Sequence, residues 1–345
     1  MKSCGMSEDK AISASKYIRF ETSSRPDSVM TLLETNGLTK PYISKLIYVL
    51  PVLLLADPHK TLKPKLEFFN SIGLSGLDLV KVLSTSPNIL LRSLKNKIIP
   101  TIAFLRSIVH TDKNVITVLK RSSRVLLEVT GERMVPNIEL LRDQGVPESN
   151  ITTLLITYTR ALRINPVRFK EIVEEINGMG FDPLQHTFVV AIRVLTGISK
   201  STREAKLDVY RRWGWSEDEI RKAFRKQPHC MMTSEKKIMA IMDFLVNQMG
   251  YSPSIMAQRP QVLVLSLEKT IIPRCSVIRI LVSKGLMKKE FRITTVLTLV
   301  EESFLKKYVI KYEQEVPELL KAYQGQLDCL KLPISSEGVG RLNIL

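Results

Sequence analysis

Aromatic side chains make up only 6% of this chain, too few to build the exposed stacking platforms that binders of splayed single strands rely on. Cysteine is scarcer still. Cys4, Cys230, Cys275 and Cys329 lie far apart, with no CxxC pair and no histidine ladder near them. That excludes a zinc site and a disulfide framework and leaves idle thiols in a reducing compartment. Long apolar runs are missing too: the strongest, "LIYVLPVLLLA" over 46–56, is short and broken by proline, so no membrane span is read. The motifs GxxxxGK[ST], GxGxxG after a strand, HExxH and GxSxG do not occur. Carboxylates such as Glu171, Glu174 and Glu175 fit a solvated helix face. The expectation is a protein with no catalytic activity, cofactor or metal.

Negative charge is also in the minority. Lys plus Arg number 51 against 34 Asp plus Glu, giving a net charge of +17. The excess is spread along the chain, +7 over residues 1–114, +6 over 115–240 and +4 over 241–345. Such a balance points to an anionic partner, nucleic acid first and an anionic membrane surface second, met along the whole array. Apolar residues, 44% of 345, are ample for a core.

Proline supplies the organisation. Pro51 and Pro64 are thirteen residues apart, as are Pro87 and Pro100, and Pro260 and Pro273; Pro136 stands thirteen after Ser123. Pro51, Pro87 and Ser123 step by thirty-six, as do Pro64, Pro100 and Pro136. Four units align without difficulty: residues 43–74, 79–109, 115–146 and 151–181. A divergent fifth, about 184–215, keeps "KLDVYRRWGW" where the first has "KLEFFNSIGL", and a sixth (219–251) and seventh (254–286) recover prolines. Apolar residues such as Ile43, Leu46, Ile47 and Leu50 recur at helical spacing and predict a first helix of two to three turns that stops at the first proline. The triplet after it ("VLLL", "NILL", "RVLL") predicts a tight turn. A second helix is expected to start near the second proline and to end at Gly73, Gly145, Gly180, Gly250 or Gly285. A period of this length with two helices and no strand pattern is an all-α α-solenoid of about seven to eight helix-turn-helix repeats. The expected division is a partial repeat or helix over 1–30, the array over 31–290, capping helices over 291–325 and a flexible tail over 326–345. Ser123, Thr159 and the fifth unit lack the first proline, and units four to six lack the second, which leaves local curvature open there.

The pattern of apolar helix, proline, "xLL", spacer and "L-x-P-x-x-x-F-L-x-x-x-G" resembles the mTERF family, the mitochondrial transcription termination factor-like proteins, over residues 3–325. "PDSVMTLLETNGLTKPYISKLIYVLPVLLLADPHKTLKPKLEFFNSIGL" (26–74) is similar to the land-plant branch. The resemblance implies a curved superhelix with a basic concave side that holds nucleic acid, and work in a mitochondrion or chloroplast, the mitochondrion favoured. It implies regulation or termination of transcription, double-stranded DNA ahead of RNA, with intron splicing or ribosome assembly as the alternative. The start "KSCGMSEDKAISASKYIRF" carries Glu8 and Asp9, is followed by Glu21, and does not look like an acid-poor transit peptide.

Phosphate contacts need cations recurring at an equivalent position. Around the first-proline turn stand Arg121 and Arg124, Arg160 and Arg163, Arg193, Arg225 and Lys226, and Arg259. The spacer before the second helix adds Arg92, Lys95, Lys97, Lys200 and Arg203, with Lys236, Lys237 and Lys269. Because Phe68, Phe69, Phe104 and Phe244 fall at packing positions, tracking of a duplex backbone by a monomer is favoured. Trp213-Gly214-Trp215, at a repeat end, reads as packing. A protein-binding scaffold is the rival class, since α-solenoids also hold peptides.

Overall fold

The computed structural model describes residues 5–128, 130–287 and 291–325, with nothing described of the side chains of Lys10 and Thr130. The expected tail over 326–345 lies outside the described residues. Among the described residues every regular element is a helix. They form two compact units. The first holds the described residues through Glu175 together with Pro183–Val189, and the second holds Ile176–Asp182 and the described residues from Val190 onward. At the N-terminal side, helix Ser24–Thr35 runs across the division expected at residue 30 and ends on Gly37 at φ +88°.

In the first unit, repeat 1 runs as an α-helix Lys40–Val49, a 3₁₀ turn Pro51–Leu55, a π turn Pro58–Leu62 and an α-helix Lys63–Ser71. Repeat 2 copies it with Gly76–Thr85, Pro87–Leu91, Leu94–Ile98 and Ile99–Val109. The residue before each first-proline position takes φ between −131° and −151° and ψ between 39° and 82°, outside the helical region as a following proline demands. The turn buries two of the three side chains after the proline, for example Leu53 with Leu54 and Ile89 with Leu90.

Repeats 3 and 4, which lack the first proline, keep the same turn. Ser123–Leu126 and Thr159–Arg163 are both 3₁₀. The proline slot is buried, so its replacements need internal partners. Ser123 Oγ lies 2.8 Å from Ser86 Oγ, and Thr159 Oγ1 donates to the Leu155 carbonyl at 2.7 Å. In repeats 3 and 4 the turn is therefore preserved without its proline.

The second proline stands in the first turn of its α-helix in repeats 1, 2 and 7, as the pattern predicts, but a π turn leads into that helix. Asp57, Ser93 and Ser266, each seven residues before its proline, cap that turn, their side chains accepting from backbone N–H groups two or three residues on. The first turn is then π-wound: Leu62 N–H donates to Asp57 O at 3.2 Å, Ile98 N–H to Ser93 O at 3.1 Å and Ile271 N–H to Ser266 O at 3.0 Å. A widened turn absorbs the ring and the missing N–H of a proline that would otherwise break the helix, so Pro64, Pro100 and Pro273 sit inside a continuous helical segment. Pro136 is likewise inside Thr130–Asp143.

The glycine ends are as the pattern predicts. Gly73, Gly145, Gly180, Gly250 and Gly285 all have φ between +72° and +85°. Repeat 2 has no such glycine, and His110 takes the left-handed slot at φ 64°. After the turn, Arg106 pairs with Asp112 and Arg142 with Glu148, each at 2.6 Å and six residues apart. In the second unit Arg211 pairs with Glu217 in the same way.

A polar contact fastens successive repeats. Lys65 Nζ donates to Leu90 O at 2.5 Å, and Asn137 Nδ2 donates to Leu162 O and Ile164 O, each at 3.0 Å. Lys65 and Asn137 follow the second proline of their repeats, and both target the far end of the next 3₁₀ turn. The second unit repeats the contact. Lys206, aligned with Lys65, donates to Thr233 O, Lys237 to Val264 O at 2.9 Å, and Arg274 to Leu297 O at 2.8 Å. Tyr210 and Gly214 stand where repeat 1 has Phe69 and Gly73, so the divergent fifth repeat keeps the packing logic of the others. Tyr210 is fully buried and stacks on Trp215 with centroids 4.7 Å apart. Trp213 Nε1 donates to Met239 Sδ, so this tripeptide is packing, as expected. Arg274 also lies 4.8 Å over the Phe304 ring, within the apolar cluster of the capping helices.

Candidate nucleic-acid interface

The four arginines singled out at the turns of repeats 3 and 4 meet in one place. Arg121, Arg124, Arg160 and Arg163 line a cleft of about 600 Å³ in the first unit, together with Lys120, Arg133, Glu128, Thr85, Ser122, Ser123 and Ile164. The 3₁₀ turns position them. Arg124 and Arg160 each follow the buried Ser123 or Thr159, thirty-six residues apart, so one repeat step carries one into register with the other. Both are exposed, and among the described residues neither has a hydrogen-bond or ion-pair partner. Among the described residues no aromatic side chain lines the cleft.

The other basic groups are partly committed. Arg121 donates to Ile156 O at 3.2 Å, and Lys120 pairs with Asp78 at 2.6 Å. Arg163 differs most from expectation. Its side chain is 12% exposed, forks onto both carboxylate oxygens of Glu128 and donates to Ser122 Oγ at 2.6 Å. The Arg163 hydrogen bonds hold the Glu128 carboxyl below the usual carboxylate range, with the charges of Arg133 and Arg124 adding to the effect. Arg124 and Arg160 therefore share the cleft with an internal arginine–carboxylate pair. Lys120, Arg133 and Glu128 were not singled out from sequence; Lys120 adjoins Arg121, but nothing local marks Arg133 or Glu128.

Arg92, Lys95 and Lys97 are exposed on repeat 2 and do not line this cleft. Lys95 and Lys97 belong to the π turn Leu94–Ile98, not to a spacer, because the helix starts before the proline.

In the second unit, Arg193 lies inside helix His186–Gly197, since the fifth repeat forms no first-proline turn, and its Nη1 is 2.5 Å from His229 Nε2. Lys200 and Arg203 are on helix Lys200–Arg212, again not in a spacer. Lys226 donates to Gln258 O at 3.2 Å, the counterpart of Arg121 in its repeat, while Arg225 and Arg259 are exposed. Of the added spacer lysines, Lys237 is spent on Val264 O. Cys230 and Cys275 are buried, and burial pushes each thiol up to about 12, so neither is a nucleophile at neutral pH. Among the described residues no His/Cys/Asp/Glu group could hold a metal, and no helix is long and apolar enough to cross a membrane.

Proline-punctuated helix pairs, fastened repeat to repeat and opening on a cationic cleft, define an α-helical repeat protein. The chain belongs to the mTERF family, whose model matches residues 30–194 and 192–305. The two matches meet within helix His186–Gly197, close to where the compact units divide. No curated relative matches the chain. The family is one of nucleic-acid-binding helical-repeat proteins with organellar, transcription-related roles, and it is not known for catalysis.

Proposed function

We propose that this protein binds double-stranded DNA through its phosphate backbone and regulates or terminates transcription in an organelle, the mitochondrion ahead of the chloroplast. The observation that carries the reading is the placement of Arg124 and Arg160, both exposed and without a partner among the described residues, on consecutive turns of one cleft. Guanidinium groups suit phosphate oxygens, and each neutralised phosphate releases counterions into solution. A cleft lined by cations and hydroxyls, with no aromatic platform, favours backbone tracking over base stacking. The net charge of +17 supports a polyanionic partner, and family membership supports the organellar setting. The proposed role is binding as a monomer, without turnover.

Purification at low salt followed by separate DNase and RNase treatment tests this reading. Co-purifying nucleic acid lost with DNase is the expected result. Loss with RNase alone turns the assignment to RNA and to splicing or ribosome assembly. No nucleic acid at low salt contradicts it in favour of a protein-binding scaffold.

A further inference from the structure

Among the described residues lining the cleft, Glu128 is the one carboxylate, placed where phosphate binding would favour none. It accepts from Arg163 Nε at 2.8 Å and from a second guanidinium nitrogen, in the forked geometry that an arginine also presents to a phosphate. Arg163 comes from repeat 4 and Glu128 from repeat 3, thirty-five residues earlier, so the pair spans two repeats across the cleft. Glu128 remains 31% exposed, so it faces the cleft and is not sealed beneath it.

We propose that Glu128 is a built-in anion that occupies the Arg163 fork in place of a backbone phosphate, and so sets how many phosphates the cleft holds. Resting on the nucleic-acid reading above, this assigns phosphate contact to Arg124 and Arg160 and withholds Arg163. Glu128 is thus an affinity-limiting residue and Arg163 a positioning residue. The carboxylate restrains the site: it spares Arg163 from adding a further sequence-blind, salt-dependent contact, the kind that strengthens binding to every sequence alike.

The consequence is a pair of variants with opposite effects. Glu128→Gln frees the Arg163 fork for one more phosphate, so duplex binding tightens and the slope of log K against log salt steepens by about 0.9. Arg163→Gln leaves the carboxylate without its partner beside Arg124 and Arg133, so binding weakens and the slope flattens. The double variant returns towards the wild type. A pair that only braces the two repeats predicts instead that both single variants move affinity in the same direction, with the double no better than either.

The experiment is equilibrium binding of a duplex DNA probe across a salt series for the wild type, both single variants, the double variant and Arg124→Glu/Arg160→Glu, with thermal melting of each. Opposite signs for the singles support the proposal, and equal signs overturn it. Should Glu128→Gln fail to fold, the comparison rests on Glu128→Asp, which keeps the charge and is expected to keep the wild-type slope; a steeper slope there overturns the proposal. A wild type that binds weakly, or that ignores Arg124→Glu/Arg160→Glu, removes the underlying reading itself. A wild type that responds to that reversal while the singles move together removes only the role of Glu128.

Discussion

Lys65 and the carbonyl of Leu90 meet 2.5 Å apart in the interior between two repeats, and this buried contact is the recurring fastener of the array. Lys65 is 4% exposed, and burial holds its amine below the ordinary lysine range. Lys65→Met leaves the Leu90 carbonyl without this donor and is expected to lower stability by about 1 kcal/mol at neutral pH. The pH dependence has a definite sign. Between its lowered folded pKa and the unfolded value of 10.5, Lys65 binds more protons in the unfolded chain, so wild-type stability gains from this group as pH rises through that window. Urea denaturation at neutral and alkaline pH should therefore find the gap between wild type and Lys65→Met widening with pH.

Ser86 and Ser123 face each other across the buried proline slot of repeat 3. Removing either hydroxyl alone strands the other, at a cost of about 1–3 kcal/mol, whereas removing both is nearly neutral. A double-mutant cycle of Ser86→Ala and Ser123→Ala, read by chemical denaturation, should give a coupling of that size and sign.

His110 holds a left-handed conformation that its sister repeats give to glycine. His110→Gly is expected to stabilise the protein by up to about 1 kcal/mol. Gly145→Ala, where an added Cβ meets nothing within 4 Å, should destabilise it by about 1–2 kcal/mol through backbone strain alone. Melting curves of the two variants should shift in opposite directions.

Acid should weaken the bond between repeats 3 and 4. The Glu128 carboxyl is held below its unfolded value of 4.5, so its contribution is fully present above that value and is lost as pH falls through the lowered folded pKa. Glu128→Gln lacks that contribution from the start. The stability gap between it and the wild type should close as pH falls below 4.5 and through the lowered folded value.

The repeat architecture was legible because its punctuation is chemical: proline forbids a helical neighbour, and glycine alone takes a left-handed end without strain. The clustering of Arg121, Arg124, Arg160 and Arg163 was legible too, since a fixed repeat step carries equivalent turns into register. The second proline marked the start of its α-helix, but the π turn leading into it was not legible, because hydrogen-bond register leaves no mark in composition. Nor could the pattern distinguish a free arginine from a committed one. Arg163 and Arg160 look alike in sequence, yet the partner that captures Arg163 lies thirty-five residues away. Lys65, Lys206 and Arg274 were hidden for the same reason. A buried cation aimed at a backbone carbonyl reads as one more basic residue.

The most direct measurement of the central claim is the salt dependence of duplex DNA binding by the wild type and by Arg124→Glu/Arg160→Glu. Arg163, already paired internally, is left out of the reversal. Loss of two phosphate contacts should flatten the slope of log K against log salt by about 1.8 and weaken binding most at low salt. An unchanged slope, with the variant folded as the wild type is, would contradict the assignment of this cleft to the nucleic-acid backbone.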